Sequence, residues 1–184
     1  MVQFNNMELI VTRHGETEEN IQNITTGWRQ GRLSEQGKLQ AKKLSESLKG
    51  LKLDIIYSSD LSRCLHTANE VLKYHSIPMV TTSLLRERSY GEYEGKVLTS
   101  EELYKLPGGL YEGRPCQGES LRDVWDRINK FYTYLKDLNN YETILVMTHA
   151  GPSRIFRAII DNKKLEDLMA IQKLENAAIL RFII

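Results

Sequence analysis

The 184 residues suffice for one domain with a buried core and are few for two. Apolar residues make up 41% and charged residues 27%, the composition of an ordinary soluble globular chain rather than of a disordered or fibrous one. A formal net charge of +1, from 25 Lys and Arg against 24 Asp and Glu, excludes a global electrostatic pull towards nucleic acid or acidic membrane.

Residues 7–12 (MELIVT) are short, apolar and partly β-branched, which predicts a buried strand. A helix follows, with Ser34 as N-cap, Ala41, Leu44 and Leu48 on one face, and Gly50 closing its end. Residues 54–57 (DIIY) read as a second buried strand. The next helix spans residues 62–74, with Ser59 or Asp60 as its cap and Cys64, Thr67, Ala68, Val71 and Leu72 along one stripe. Residues 77–80 begin a third strand. The stretch to Gly118 holds Pro107, Gly108, Gly109, Gly113 and Pro115 after a short helical piece, the pattern of a surface excursion that covers a site.

A long amphipathic helix is then marked by Leu121, Val124, Trp125, Ile128, Phe131, Leu135 and Leu138, with Trp125 in the core. Residues 143–148 (TILVMT) form the next strand and residues 152–160 the next helix. Residues 177–184 end as a strand, either inner or at an edge that pairs with another subunit. Alternating strands and helices predict a three-layer α/β/α fold around a mostly parallel sheet. No repeat or linker interrupts it, so residues 1–184 are expected to be one domain, with 96–118 as a lid-like excursion.

Cys64 and Cys116 are too few for a disulfide framework and lie in no metal spacing, so free thiols in a cytoplasmic protein are expected. Residues 1–8 lack the basic and apolar regions of a signal peptide. No apolar run approaches the ~20 residues of a membrane-spanning helix.

Chemistry gathers at the strand ends, where sites of such sheets lie. His14 follows the first strand in Arg13-His14-Gly15, and His149 follows the later one in Thr148-His149-Ala150-Gly151. On central parallel strands both imidazoles emerge on one edge. Arg13 and Arg63 sit at such turns, and a guanidinium fork matches phosphate. Glu87 lies between Arg86 and Arg88 after the third strand, where a solvated charge run is the competing reading. His66 and His75 read as surface residues, and Trp28 as either packing or pocket.

Arg13-His14-Gly15-Glu16-Thr17 with Asn20 resembles the signature of the histidine phosphatase superfamily, which includes the cofactor-dependent phosphoglycerate mutases. The resemblance continues in order through Thr26-Gly27-Trp28, Leu33 to Gly37, Tyr57 to Ala68, Leu85 to Gly91, and Thr148 to Gly151. It implies a phosphoglycerate mutase-like fold and a metal-independent enzyme without a cofactor. His14 would be the nucleophile that becomes phosphohistidine. Arg13, Arg63 and His149 would complete a cationic pocket. Asn20 and the Thr26-Gly27 backbone would add donors, Tyr90 and Ala150 would meet substrate, and Glu87 would protonate the leaving oxygen.

The excursion is shorter than in the mutases and carries only Lys96, Lys105 and Arg114 as basic residues. The chain therefore resembles the small phosphatases of the family, such as α-ribazole phosphatase and fructose-2,6-bisphosphatase-like enzymes. The expected partner is a small phosphorylated metabolite, not nucleic acid or membrane. A mutase, a phosphoprotein phosphatase and a non-catalytic binding module are the alternatives, and the oligomeric state stays open. Specificity is expected from 96–118 and from Trp28, Arg29, Tyr90 and Tyr93.

Overall fold

The computed structural model describes residues 7–184. Most of the N-terminal stretch read for a signal peptide lies outside the described residues. In chain order the elements are β1 (Glu8–Arg13), α1 (Glu18–Ile21), α2 (Glu35–Leu48), β2 (Ile55–Ser59), α3 (Ser62–Leu72), β3 (Met79–Thr82), α4 (Ser100–Tyr104), α5 (Gly109–Glu112), α6 (Leu121–Lys136), β4 (Thr143–Thr148), α7 (Ala150–Ile160) and β5 (Ile179–Ile183). Short 3-10 turns lie at Ser83–Leu85, Gly91–Tyr93 and Leu165–Ala170.

The five strands form one sheet in the order β3-β2-β4-β1-β5. The first four are parallel, and β5 runs antiparallel along β1. The inner strands are buried on both faces, which explains their unbroken apolar runs. Alternate residues feed opposite cores. Leu9, Val11, Tyr57, Ile144 and Val146 meet Ile128 and Phe131 of α6 and Ile155 and Phe156 of α7. Ile10, Ile56, Leu145 and Met147 meet Leu44 and Leu48 of α2 and Ala68 and Val71 of α3. Each such side chain, once fully buried, contributes about 1.5–3 kcal/mol.

This is the expected three-layer arrangement, and it places the site. β1 is followed by α2 on one face, while its neighbour β4 is followed by α7 on the other. The crevice opens where those connections part.

Some boundaries differ from expectation. β3 starts at Met79, because Ile77 and Pro78 precede the ladder, which pairs Ile56 with Met79. Leu61, not Ser59 or Asp60, is the N-cap of α3 and makes no side-chain cap. Among the described residues, β5 is an edge strand that pairs with β1 alone. Ser34 does cap α2, accepting from Gly37 N. Ser120 caps α6 through a reciprocal box with Asp123.

Candidate active site

β1 and β4 run in register, with Arg13 beside Thr148. His14 N donates to Thr148 O at 3.0 Å, so the two histidine turns leave the sheet together. The rings meet edge to face, 5.1 Å between centroids. Gly15 and Gly37 allow the turn after β1 to pack directly on the start of α2. A Cβ on Gly15 would collide with Gly37 O, and one on Gly37 with Glu16 O.

His14 is 4% exposed. Its Nδ1 lies 2.7 Å from Gly15 O, a carbonyl that can only accept, so Nδ1 carries the proton and Nε2 keeps its lone pair. Burial first, then the charges of Arg63 and Arg13, holds its pKa well below the usual 6.5. The ring is a neutral imidazole at pH 7. Thr67 Oγ1 fixes the turn by accepting from Gly15 N at 3.0 Å.

His149 is fully buried and does not line the cavity. Arg63 Nε donates to its Nδ1 at 3.2 Å, which leaves the proton on Nε2, 2.9 Å from Ser59 Oγ. Cys64 Sγ lies 3.4 Å from the same Nε2, and burial pushes that thiol up to about 12. Burial and Arg63 also hold His149 well below its usual value. It therefore adds no positive charge to the wall, unlike the cation expected there.

The two guanidiniums are held differently. Arg63 is 2% exposed and tied down by carbonyls of the 27–30 loop. Its Nη2 donates to Gly27 O at 2.8 Å and its Nη1 to Arg29 O at 2.7 Å. Arg13 Nη1 donates to Leu174 O at 2.9 Å, while its Nε is buried with no partner among the described residues. An unpaired buried N–H on a cation is costly unless an anion completes it.

Glu87 stands across the crevice. Its Oε1 accepts from Arg88 N at 2.9 Å and its Oε2 from Gly151 N, in the first turn of α7, at 3.2 Å. A Cβ on Gly151 would collide with Glu87 Oε1, so that glycine makes room for the carboxylate. Trp28 Nε1 and Arg127 Nη2 both donate to the Glu87 carbonyl, at 2.8 and 3.0 Å. Trp28 thus braces the acid from behind and stacks under Arg86.

Arg13, His14, Asn20, Thr26, Gly27, Arg63, Glu87, Tyr90 and Ala150 line one cavity of about 300 Å³. With His149 behind His14, every site residue expected from sequence falls in one place. Asn20 Oδ1 accepts from Thr17 N, which leaves its amide N–H groups as donors. Leu98 and Leu103 bring the excursion into the cavity wall, joined by Ile24 and Lys173. Tyr93 and Arg29 are not in that wall.

Sequence reasoning missed the loop before β5. Ala177 N donates to Arg13 O, and Asn176 Nδ2 donates to His14 O at 3.0 Å. With Leu174 it clamps the Arg13-His14 turn. Ser59 and Thr67 were missed too, although both stand in the block that carries Arg63. Among the described residues, no group of three or more His, Cys, Asp or Glu side chains could hold a metal ion. Among them also, no helix is long and apolar enough to cross a membrane.

Comparison with known proteins agrees with this geometry. A 2,3-bisphosphoglycerate-dependent phosphoglycerate mutase of Brucella ovis is 34% identical over 174 residues, covering 88% of this chain and 84% of that one. The α-ribazole phosphatase of Shigella flexneri superposes with a TM-score of 0.87 at 24% identity, covering 95% and 89% of the two chains. The YhfR protein of Bacillus stearothermophilus does so with 0.83 at 28%, covering 95% and 90%. The sequence profile of the histidine phosphatase superfamily (branch 1) matches residues 9–184, and the chain belongs to that family.

Proposed function

We propose that the chain is a phosphatase that hydrolyses a small-molecule phosphomonoester through a phosphohistidine at His14. The observation that carries this reading is the state of His14. It is a neutral ring with Nδ1 tethered, Nε2 unprotonated, and two guanidiniums beside it. That is a nucleophile next to a dianion site.

The steps balance. Nε2 attacks phosphorus in line as the bond to the leaving oxygen breaks. Arg13 and Arg63 hold the equatorial oxygens, where charge is spread, and Asn20 adds an N–H. Glu87 passes the acidic proton of the bound phosphomonoester to the leaving oxygen. It then takes a proton from water, which attacks phosphorus and breaks the P–N bond. Phosphate departs with that proton, and His14 and Glu87 return to their starting states. His149 acts through Arg63, keeping its fork in place as a neutral partner.

A cavity of about 300 Å³ fits a small metabolite rather than a protein segment. Two free cysteines fit a cytoplasmic enzyme. The mutase reading has one observation in its favour, the 31–34% identity to phosphoglycerate mutases. Supplying 3-phosphoglycerate with and without a 2,3-bisphosphoglycerate primer separates the two. The phosphatase reading expects phosphate release from monoesters without a primer. Primer-dependent isomerisation with no phosphate release contradicts it.

A further inference from the structure

The cavity in front of His14 does not end at Glu87. A second hollow of about 190 Å³ adjoins it, and the two share Glu87, Tyr90, Leu103, Ala150 and Lys173. Beyond that shared wall the second hollow is lined chiefly by Leu110 from α5, Leu121 from α6, and Leu168 and Met169 from the last 3-10 turn, with Tyr104 of α4 and Gly151 completing it. Two arginines also border it, and backbone carbonyls hold each of them. Arg88 donates to Glu119 O and Gly113 O, and Arg154 to Ile171 O and Met169 O.

In-line transfer to His14 puts the leaving oxygen on the far side of phosphorus, within reach of Glu87. Because Glu87 stands in the wall common to both hollows, the carbon skeleton of the alcohol starts at that wall. The second hollow is the space that continues from there. Its leucines and its adaptable thioether favour an apolar body. A polyol lodged there would press hydroxyls against Leu110, Leu121 and Leu168, which offer no hydrogen bond.

We infer that this hollow is the leaving-group subsite, and that it selects phosphomonoesters of alcohols with an apolar, ring-sized or branched body over those of polyols. The inference rests on the phosphatase reading and names its substrate class.

Cyclohexylmethyl phosphate and glycerol 1-phosphate are both esters of primary alcohols, so they compare the bodies at similar leaving-group chemistry. The expected kcat/KM is at least about tenfold higher for the cyclohexyl ester. Leu110→Ser and Met169→Ser change partly exposed residues, Met169 being 40% exposed. Each is expected to cut that preference about tenfold, chiefly by raising KM for the cyclohexyl ester. Equal kcat/KM for the two esters, or equal losses on both in the variants, overturns the subsite.

Binding of 2-cyclohexylethylphosphonate and 3,4-dihydroxybutylphosphonate, measured by calorimetry, repeats the comparison without chemistry. Tighter binding of the cyclohexyl compound, weakened in both variants, supports the subsite, and equal affinities overturn it. Phosphonate selectivity without hydrolysis of either ester contradicts the phosphatase reading and leaves the subsite standing.

Discussion

His14 and His149 leave adjacent parallel strands side by side, each just before a glycine or one residue short of one, yet their rings have opposite fates. His14 has one nitrogen on a carbonyl and one facing the cavity. His149 has both nitrogens engaged, by Arg63 and by Ser59. What separates them is the second strand over. β2 delivers Ser59 and α3 delivers Arg63 directly against β4, whereas β1 is flanked on its other side by β5 and the loop that clamps Arg13. Position at a strand end brings a histidine to the crevice, and its neighbours then decide whether it reacts or supports.

Substitution breaks this comparison most sharply. His14→Asn should lower kcat/KM by about 10⁴-fold or more, the scale of losing a nucleophile. His149→Asn keeps polar contacts near Arg63 and should cost about 10- to 100-fold, the worth of a charge-assisted hydrogen bond. Steady-state kinetics on an aryl phosphate checks both, and equal losses would erase the distinction.

Glu87 tests the opposite wall. Glu87→Gln should cost about 10²–10⁴-fold on alkyl phosphates, whose leaving oxygen needs a proton. Loss on aryl phosphates with good leaving groups should be far smaller. Uniform loss across leaving groups would remove Glu87 from the acid role.

The glycine two residues after His149 offers a subtler break. In Gly151→Ala the new Cβ displaces the end of a flexible carboxylate rather than backbone, so folding should be little affected. Turnover should still fall by about 10²-fold, because the acid is misplaced. Thermal unfolding and alkyl-phosphate kinetics on the same sample check the separation. A large drop in Tm would mean that the glycine serves packing instead.

The smallest effect is on stability against pH. Both histidines are held neutral in the folded chain, by burial first and then by Arg63. In the unfolded chain each takes up a proton as the pH falls below the usual 6.5. Their folded pKa values are depressed, so the associated stability is present above about pH 6.5 and is lost as pH falls from there. Each histidine contributes a slope of up to about 1.4 kcal/mol per pH unit. Urea unfolding at pH 7 and pH 5.5 should show a shallower loss in His14→Asn and in His149→Asn than in wild type. Parallel loss in all three would mean that the rings are not held neutral.

The legible part of the molecule is the part whose burial is uniform. β1, β2 and β4 are covered on both faces, so their sequences are bare apolar runs, and α6 writes its buried stripe at helical spacing. The exposed edges were less clear. β3 carries a half-exposed pattern and slid by two residues, and the antiparallel direction of β5 is set by the sheet edge it joins, not by its own residues. The polar residues gathered at the cavity were legible because the motifs carry them, whereas Ile24, Leu103 and Lys173 in the same wall stand outside the motifs. Thr17 and Asn20 show a limit of that reading, since the same pair also forms the capping box of α1. Asn176 and Leu174 carried no local signal. They act only after the fold brings a loop more than 150 residues away onto the Arg13-His14 turn, as the Asn176 contact with His14 O, spanning 162 positions, illustrates.

The central claim is that phosphate passes through His14 Nε2. Its most direct test is acid- and alkali-quenched turnover of a phosphomonoester, followed by mass spectrometry of the peptide holding residue 14. The expected result is a transient phosphoryl group on His14 that is lost in acid, survives alkali, and is absent from His14→Asn. Turnover at full rate with His14 never phosphorylated, or with the label on another side chain, would contradict it.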